Sequence, residues 1–339
     1  MKCIRTENAV GHVLCHDMTQ IIPGVSKGPR FRKGHVVTEE DIPVLLSMGK
    51  ENLFVWEMEP GMVHENDAAE RLAALCGREN MTWSETKEGK IELKSAIEGV
   101  FLVDSARLFA VNSIDELMIA TRRGGGTVHP GDKLAGTRVI PLIIREEKLR
   151  QAEQAAGSAP LLSVRPFVRR TAAVITTGSE VAKGRIPDSF TPVVERKLAA
   201  FGIRMTEHIL VEDGQENVLE AIEQMKRRPV DMILCTGGMS VDPDDSTPGA
   251  IKASGADIVT YGAPVLPGAM FLLGYYGDGR PVMGLPGCVM YAKATIFDLV
   301  LPRIAADVRL EKRDFVVFGE GGLCLGCESC TYPHCGFGR

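Results

Sequence analysis

The stretch that most constrains this chain is Asp231 to Pro248, DMILCTGGMSVDPDDSTP. Met232 to Cys235 is a short apolar run of the kind a buried strand carries. It ends at Thr236-Gly237-Gly238, and glycines at a strand's carboxyl end let backbone amides approach a ligand closely. Ser240 adds a hydroxyl, and Asp242, Asp244 and Asp245 crowd into one loop. Thr247-Pro248 reads as an N-cap followed by proline at the first helical position. Strand, glycine turn, carboxylate loop and helix start describe a crevice outside the strand ends of an open α/β sheet, where ligands bind. A helix N-terminus there favours phosphate.

The sequence around this stretch repeats its pattern. From Pro166 onward, apolar runs at Ala172–Thr177, Ile203–Val211, Ile258–Tyr261, Phe271–Tyr276 and Pro281–Leu285 read as strands. Helical patterns begin at Thr191-Pro192, at Glu216, near Pro248 and near Cys288, the last running to Ala306. Val194, Leu198 and Phe201 fall on one helix face, as do Val218, Ile222 and Met225. This alternation predicts a doubly wound, mostly parallel sheet with helices on both faces.

The N-terminal half is less regular. Strands are expected at Val10–Leu14 and Leu53–Trp56, with helices over 38–48 and 64–77. His12, Cys15 and His16 cannot converge from one strand, because Cys15 points away from the two histidines, so they read as structural. Lys27 to Lys33 reads as a basic solvated loop. Residues 85–145 read as β-rich, with LFAVN among the strands and a short helix over 113–121. Arg122-Arg123-Gly124-Gly125-Gly126 reads either as an anion nest or as a surface turn. An alanine-rich helix over 146–157 leads to a boundary. The expected fold is α/β: a small α+β unit (1–84), a β-rich unit (85–165), the doubly wound domain (166–310) and a cysteine-rich tail (311–339).

Composition narrows the function classes. At 339 residues with 45% hydrophobic and 24% charged residues, the chain has material for real cores. A net charge of −5 argues against a nucleic-acid partner. No apolar run approaches the roughly 20 residues a membrane span needs. MKCIRTENAV has no apolar signal core, so the expected location is the cytoplasm. In that compartment the nine cysteines do not read as a disulfide scaffold.

Residues 168 to about 304 resemble the molybdopterin-binding domain of molybdenum-cofactor biosynthesis proteins. The pieces that carry the resemblance are TTGSE at 176–180, PDS at 187–189, VED at 211–213, TGGMSVDPDD at 236–245 and GLPG at 284–287. The branch most similar is the molybdopterin molybdenumtransferases, with Pro267-Gly268 and Leu285-Pro286-Gly287 where that branch has PG and LPGNP. The chain departs from the pattern at Ser179, where an acid is usual, and at Cys288-Val289, which replace Asn-Pro. It also departs at Phe190, which ends DSF in place of DSN. The N-terminal half lacks the branch's aspartate-glycine-tyrosine signature.

The resemblance implies a reaction: adenylylated molybdopterin is hydrolysed with release of AMP, and molybdate is placed on the dithiolene. It implies Mg²⁺ held by Glu180, Asp213 and Asp245, which would also be the catalytic carboxylates. Thr177, Gly178 and Ser179 would line the substrate site. Gly237, Gly238 and Ser240 would hold phosphate or pterin, Asp188 and Ser189 would position the pterin, and Pro286 and Gly287 would shape the wall. Each acid also has a plainer reading: Asp213 as cap of the helix near Gln215, Asp245 as cap of the helix at Pro248, Glu180 as a surface residue. Two alternatives to the transferase stay open, a non-enzymatic molybdopterin carrier serving a molybdoenzyme and a molybdopterin adenylyltransferase. A homo-oligomer without membrane or nucleic-acid contacts is expected.

The last cysteines pose a separate question. Cys324, Cys327, Cys330 and Cys335 spell C-x2-C-x2-C-x4-C, with His334 inside. Thiolates at this spacing can wrap one metal centre, an iron–sulfur cluster or zinc.

Overall fold

The computed structural model describes residues 2–22, 26–55, 60–240 and 246–338. The chain divides into two compact units. One comprises residues 1–96, 103–122 and 130–163, the other residues 97–102, 123–129 and 164–339. This cuts the chain differently from the four segments expected. Most of 1–84 and 85–165 fold together, and the cysteine-rich end joins the second unit.

The first unit contains a four-stranded antiparallel sheet in the order Met81–Trp83, Lys90–Ser95, Lys133–Val139, Leu117–Thr121. Helix Glu65–Ala74 buries Ala68, Ala69 and Leu72, and helix Glu146–Ala156 buries Leu149, Ala152 and Ala156. Five expectations fail here. Val10–Leu14 forms only isolated bridges, Val13 to Val36 and Leu14 to Val55. Residues 27–31 of the basic segment lie in strand Ser26–Phe31, paired with Met18–Ile22. LFAVN lies in helix Ser105–Asn112, because Asp104 caps that helix by accepting from the Arg107 amide. The helix expected over 113–121 is instead strand Leu117–Thr121, in which buried Leu117 and Ile119 alternate with exposed Met118 and Ala120. The 38–48 helix spans only Asp41–Ser47. The Asp41 carboxylate turns back to accept from the Thr38 amide and hydroxyl, so that turn precedes the helix.

The second unit's main sheet has six strands. Its strands are β1 (Thr171–Thr177), β2 (Arg204–Val211), β3 (Met232–Thr236), β4 (Asp257–Tyr261), β5 (Leu272–Tyr275) and β6 (Pro281–Leu285). Their spatial order is β2-β1-β3-β6-β5-β4. The first four run parallel, while β5 pairs antiparallel with β6 and β4 antiparallel with β5. β3 and β6 are buried along their whole length, which is why both read as unbroken apolar runs.

Alternate residues feed two cores. Ala172, Val174, Met232 and Leu234 face one side with Val194 and Leu198 of α2 (Thr191–Ala199). Ile296, Phe297 and Val300 of α5 (Ile296–Ala305) join that core. Ala173, Ile175, Ile233 and Cys235 face the other side with Val218, Ile222 and Met225 of α3 (Gln215–Lys226) and Ala250 and Ile251 of α4 (Thr247–Ala253). Helices on both faces make the domain doubly wound, as the alternation predicts. The last helix is shorter than expected. A 3₁₀ turn covers Gly287–Met290, and α5 starts only where Thr295 and Asp298 form a capping box.

Asp231 anchors the amino end of this sheet. Its Oδ2 accepts from the amides of Arg170 and Thr171 at 2.6 and 2.8 Å, and from the Thr171 hydroxyl at 3.0 Å. Burial pushes this carboxyl up, but those hydrogen bonds and nearby Arg169 outweigh it and hold the group below the usual carboxylate range. A depressed folded value stabilises above the unfolded pKa of about 4 and is lost as pH falls through the folded one. Asp231→Asn is therefore expected to cost about 1–2 kcal/mol at neutral pH. The difference from wild type should close as denaturant melts move from pH 7 into strong acid. A gap that persists in acid would mean that the charge is not what matters.

Candidate functional site

The parallel register brings the chemistry-bearing segments level. Thr177 lies beside Val211, Thr176 beside Thr236, and Thr236 beside Leu285. The carboxyl ends of β2, β1, β3 and β6 thus align. The segments that leave them, VED, TTGSE, TGG and LPG, open along one edge.

At the centre, backbone replaces side chain. Gly237 has φ +86°, and a Cβ there would stand 2.4 Å from the Thr177 carbonyl oxygen and 2.5 Å from its Oγ1. At Gly238, φ +56°, a Cβ would meet the Thr247 hydroxyl at 2.8 Å. Only glycine lets the turn lie this close to β1. Thr247 is not the N-cap expected of it. Ser246 takes that place, without a side-chain cap bond, while the buried Thr247 hydroxyl donates to the Gly237 carbonyl at 2.9 Å. The first turn of α4 is thereby tied to the glycine turn. Met239 lies beneath, packed so closely on Gly284 that a Cβ there would fall 2.5 Å from its sulfur.

Thr177 is the unusual member. It is 7% exposed, and its Oγ1 has no hydrogen-bond partner among the described residues. A buried hydroxyl left unpaired costs roughly 1–3 kcal/mol, so this one calls for a partner beyond the described residues, such as a water, an ion or a ligand.

Gly178 takes φ +146° and turns the chain into α1 (Ser179–Ala182), a single turn. The exposed Asp213 accepts from the Ser179 amide at 2.8 Å through Oδ2, and the Ser179 hydroxyl lies 3.3 Å from the Asp213 amide. This reciprocal clasp locks the loop after β1 to the loop after β2. It also corrects the plain reading of Asp213, since α3 is preceded by Gly214 with no side-chain cap bond. Glu180 is exposed on α1. Asp245 lies outside the described residues, with Asp242 and Asp244. Ser240, just before them, is exposed.

Asp188 is committed to structure. Oδ1 accepts from the amides of Phe190 and Thr191 at 2.9 and 3.0 Å, and Oδ2 takes the Thr191 hydroxyl, so the residue starts α2. Burial raises this carboxyl, yet the bonds from Thr191 and Phe190 and the proximity of His208 hold it below its ordinary value. Ser189 is free of that duty and lies 3.1 Å from the Met290 sulfur, joining the PDS loop to the turn after Pro286 and Gly287. Pro286 is buried and Gly287 exposed. His208 was not singled out in the sequence. Its Nε2 lies 3.0 Å from the Thr191 hydroxyl, 3.2 Å from that of Thr176 and 3.6 Å from Asp188 Oδ2. Its only sequence signal is a histidine in an alternating strand three residues before VED. The triglycine is not an open nest, because the Gly125 amide donates to the Phe101 carbonyl.

Glu180 and Asp213, at neighbouring strand ends, are hard oxygen donors of the kind Mg²⁺ takes. Among the described residues no three His, Cys, Asp or Glu side chains are gathered as a metal site. The tail cysteines are therefore not brought together either. All four are free thiols, Cys327 and Cys330 exposed, Cys324 and Cys335 half-buried. No helix among the described residues is long and apolar enough to cross a membrane.

Comparisons with known proteins bear on the second unit most. Residues 3–57 match a domain of unknown function. A Bacillus cereus (strain AH187) protein described as "Putative competence-damage inducible protein" is 33% identical over 90 residues, covering 26% of this chain. That match covers 22% of the relative, so the chain spans about a fifth of its length. Among solved structures, the CinA protein of unknown function from Thermoplasma acidophilum is 20% identical, with TM-score 0.35, covering 40% of this chain and 98% of that one. The molybdopterin biosynthesis Mog protein from Mycobacterium ulcerans is 24% identical, with TM-score 0.31, covering 40% and 91%. Residues 173–306, from β1 through α5, match the family described as probable molybdopterin binding domain, so this stretch of the chain is a domain of that family.

Proposed function

We propose that this domain binds adenylylated molybdopterin across the aligned strand ends and places molybdate on its dithiolene with release of AMP. The observation that carries the reading is the buried hydroxyl of Thr177, unpaired among the described residues and set against a glycine turn on the strand edge where the family's segments converge. A phosphate oxygen there would satisfy Thr177, and the glycines keep no side chain in its way. Ser189, beside Met290, would face the pterin end of the ligand. Glu180, Asp213 and Asp245 would hold Mg²⁺, which supplies charge neutralisation for cleavage of the anhydride. Water adds to the adenylyl phosphorus, the anhydride bond breaks, AMP leaves, and molybdopterin keeps its own phosphate; the two dithiolene sulfurs bond molybdenum as one oxo group of molybdate leaves as water with the two thiol protons, without change of oxidation state.

One observation favours a second reading, a carrier that holds the ligand without cleaving it. Asp188 is occupied in starting α2, and one oxygen of Asp213 is occupied by the Ser179 amide, so two of the site's acids already serve the fold. Anaerobic incubation of the full chain with adenylylated molybdopterin, molybdate and Mg²⁺ separates the two. AMP release together with bound molybdenum is the expected result. Tight binding with no AMP would establish the carrier, and no binding would remove both. Consumption of ATP with unmodified molybdopterin would instead show an adenylyltransferase.

A further inference from the structure

Residues 321–338 lie beyond the matched domain yet belong to its compact unit. They form no helix or strand apart from one isolated bridge, Leu323 to Leu266. The segment is nonetheless closed and docked. The Gly338 amide donates to the Gly321 carbonyl at 2.8 Å, so the two ends meet. The Cys324 amide donates to Leu266 at 2.8 Å, and the Tyr332 hydroxyl donates to the Asp298 carbonyl of α5 at 3.1 Å. Phe337 is 6% exposed, and a Cβ on Gly338 would fall 2.4 Å from Leu299 Cδ2.

Four thiols sit inside this closed loop, and they divide into two pairs. Cys324 and Cys335 pack with Tyr332 against the core that α5 helps to form. Cys327 and Cys330 lie on the exposed stretch between them, beside Leu325, which is 84% exposed. Eighteen residues that bury one ring, Phe337, and half-bury another, Tyr332, have little apolar burial with which to order themselves. Cys324, Cys327 and Cys330 are separated by two-residue spacers that reach at most about 10 Å each, and no helix or strand lies between Cys324 and Cys335 to hold the four thiols apart. Thiolate centres are commonly assembled in this way, with metal binding and local folding coupled.

We propose that Cys324, Cys327, Cys330 and Cys335 form a four-thiolate metal centre. Cys324 and Cys335 are the anchored pair, and Cys327 and Cys330 close over the metal. The chemistry is that of a thiophilic centre, either an iron–sulfur cluster or one zinc ion. It is independent of the pterin site, because its readout is metal content.

The test is anaerobic purification of the full chain, followed by metal analysis, acid-labile sulfide and visible absorption. One centre per chain is expected. Iron with sulfide and visible charge-transfer bands identifies the cluster, whereas zinc without sulfide identifies the single ion. Cys327→Ser and Cys330→Ser, both at exposed positions, should lose the metal with the melting of the main sheet unchanged, while Cys3→Ser, at an exposed cysteine elsewhere, should retain it. A chain that holds neither metal, even after anaerobic supply of Fe²⁺ with sulfide or of Zn²⁺, overturns the proposal. So does full metal retention in the Cys327→Ser Cys330→Ser double variant, or isolation of these cysteines as disulfides under reducing conditions.

Discussion

Gly237→Ala is expected to destabilise the second unit by about 3 kcal/mol, a fall in melting temperature of roughly 6–12 °C for a unit of this size. Two effects add. The left-handed backbone at φ +86° costs a residue with a Cβ about 1–2 kcal/mol. The Cβ would also stand 2.4 Å from a backbone oxygen of β1, which has no free end to swing aside. Forcing the turn away from β1 is an overpacking cost of about 1–3 kcal/mol. Gly255→Ala isolates the first effect, since Gly255 has φ +81° and nothing within 4 Å of its missing Cβ. Thermal melts of both variants give the comparison. Equal losses would mean that the close approach of the glycine turn to Thr177 carries no energy, and the site's geometry would lose its rationale.

The sheet was the legible part of this chain, for a physical reason. Strands buried on both faces must be apolar throughout, so β3 and β6 announce themselves. The glycines and acids that follow them mark where the chain turns into the crevice. Because parallel register levels the strand ends, segments far apart in sequence had to converge once the sheet was right. What was not legible depended on contacts that periodicity does not carry. Leu117–Thr121 reads as a helix until its pairing with Lys133–Val139 imposes a period of two. The start of α5 is set by the Thr295–Asp298 capping box and not by the apolar run before it. Asp188 carries the right residue type for ligand binding, but neighbouring amides claim one of its oxygens and the Thr191 hydroxyl the other. His208 acquires its setting from Thr176, Asp188 and Thr191, which lie 32, 20 and 17 residues away. Residues 97–102 and 123–129 belong to the second unit and pair with each other at Gly99–Val100 and Thr127–Val128, a non-local contact that no local pattern encodes. Cysteine spacing was plain in the sequence, whereas the split into two docked and two exposed thiols needed the fold.

Thr177→Val is expected to move stability and binding in opposite directions. Valine keeps the shape and the branched Cβ that suit a strand, and it removes a hydroxyl that is buried and unpaired among the described residues. Deleting an unsatisfied buried polar group should leave the fold as stable as before or raise it by about 1 kcal/mol. The same hydroxyl, if it donates to a ligand phosphate, makes a bond to a charged group. Its loss should cost about 1.5–3 kcal/mol of affinity, on the order of 10- to 100-fold in Kd. Thr177→Ser reverses the logic: it keeps the donor and gives up a methyl packed in the core, so binding should survive while stability drops. A hydroxyl that serves only the fold predicts the other pattern, in which valine melts lower and binds molybdopterin as well as wild type. Melting curves and equilibrium binding of molybdopterin to the three proteins decide between them. Only a ligand-facing Thr177 gives a valine variant that is at least as stable and yet binds worse.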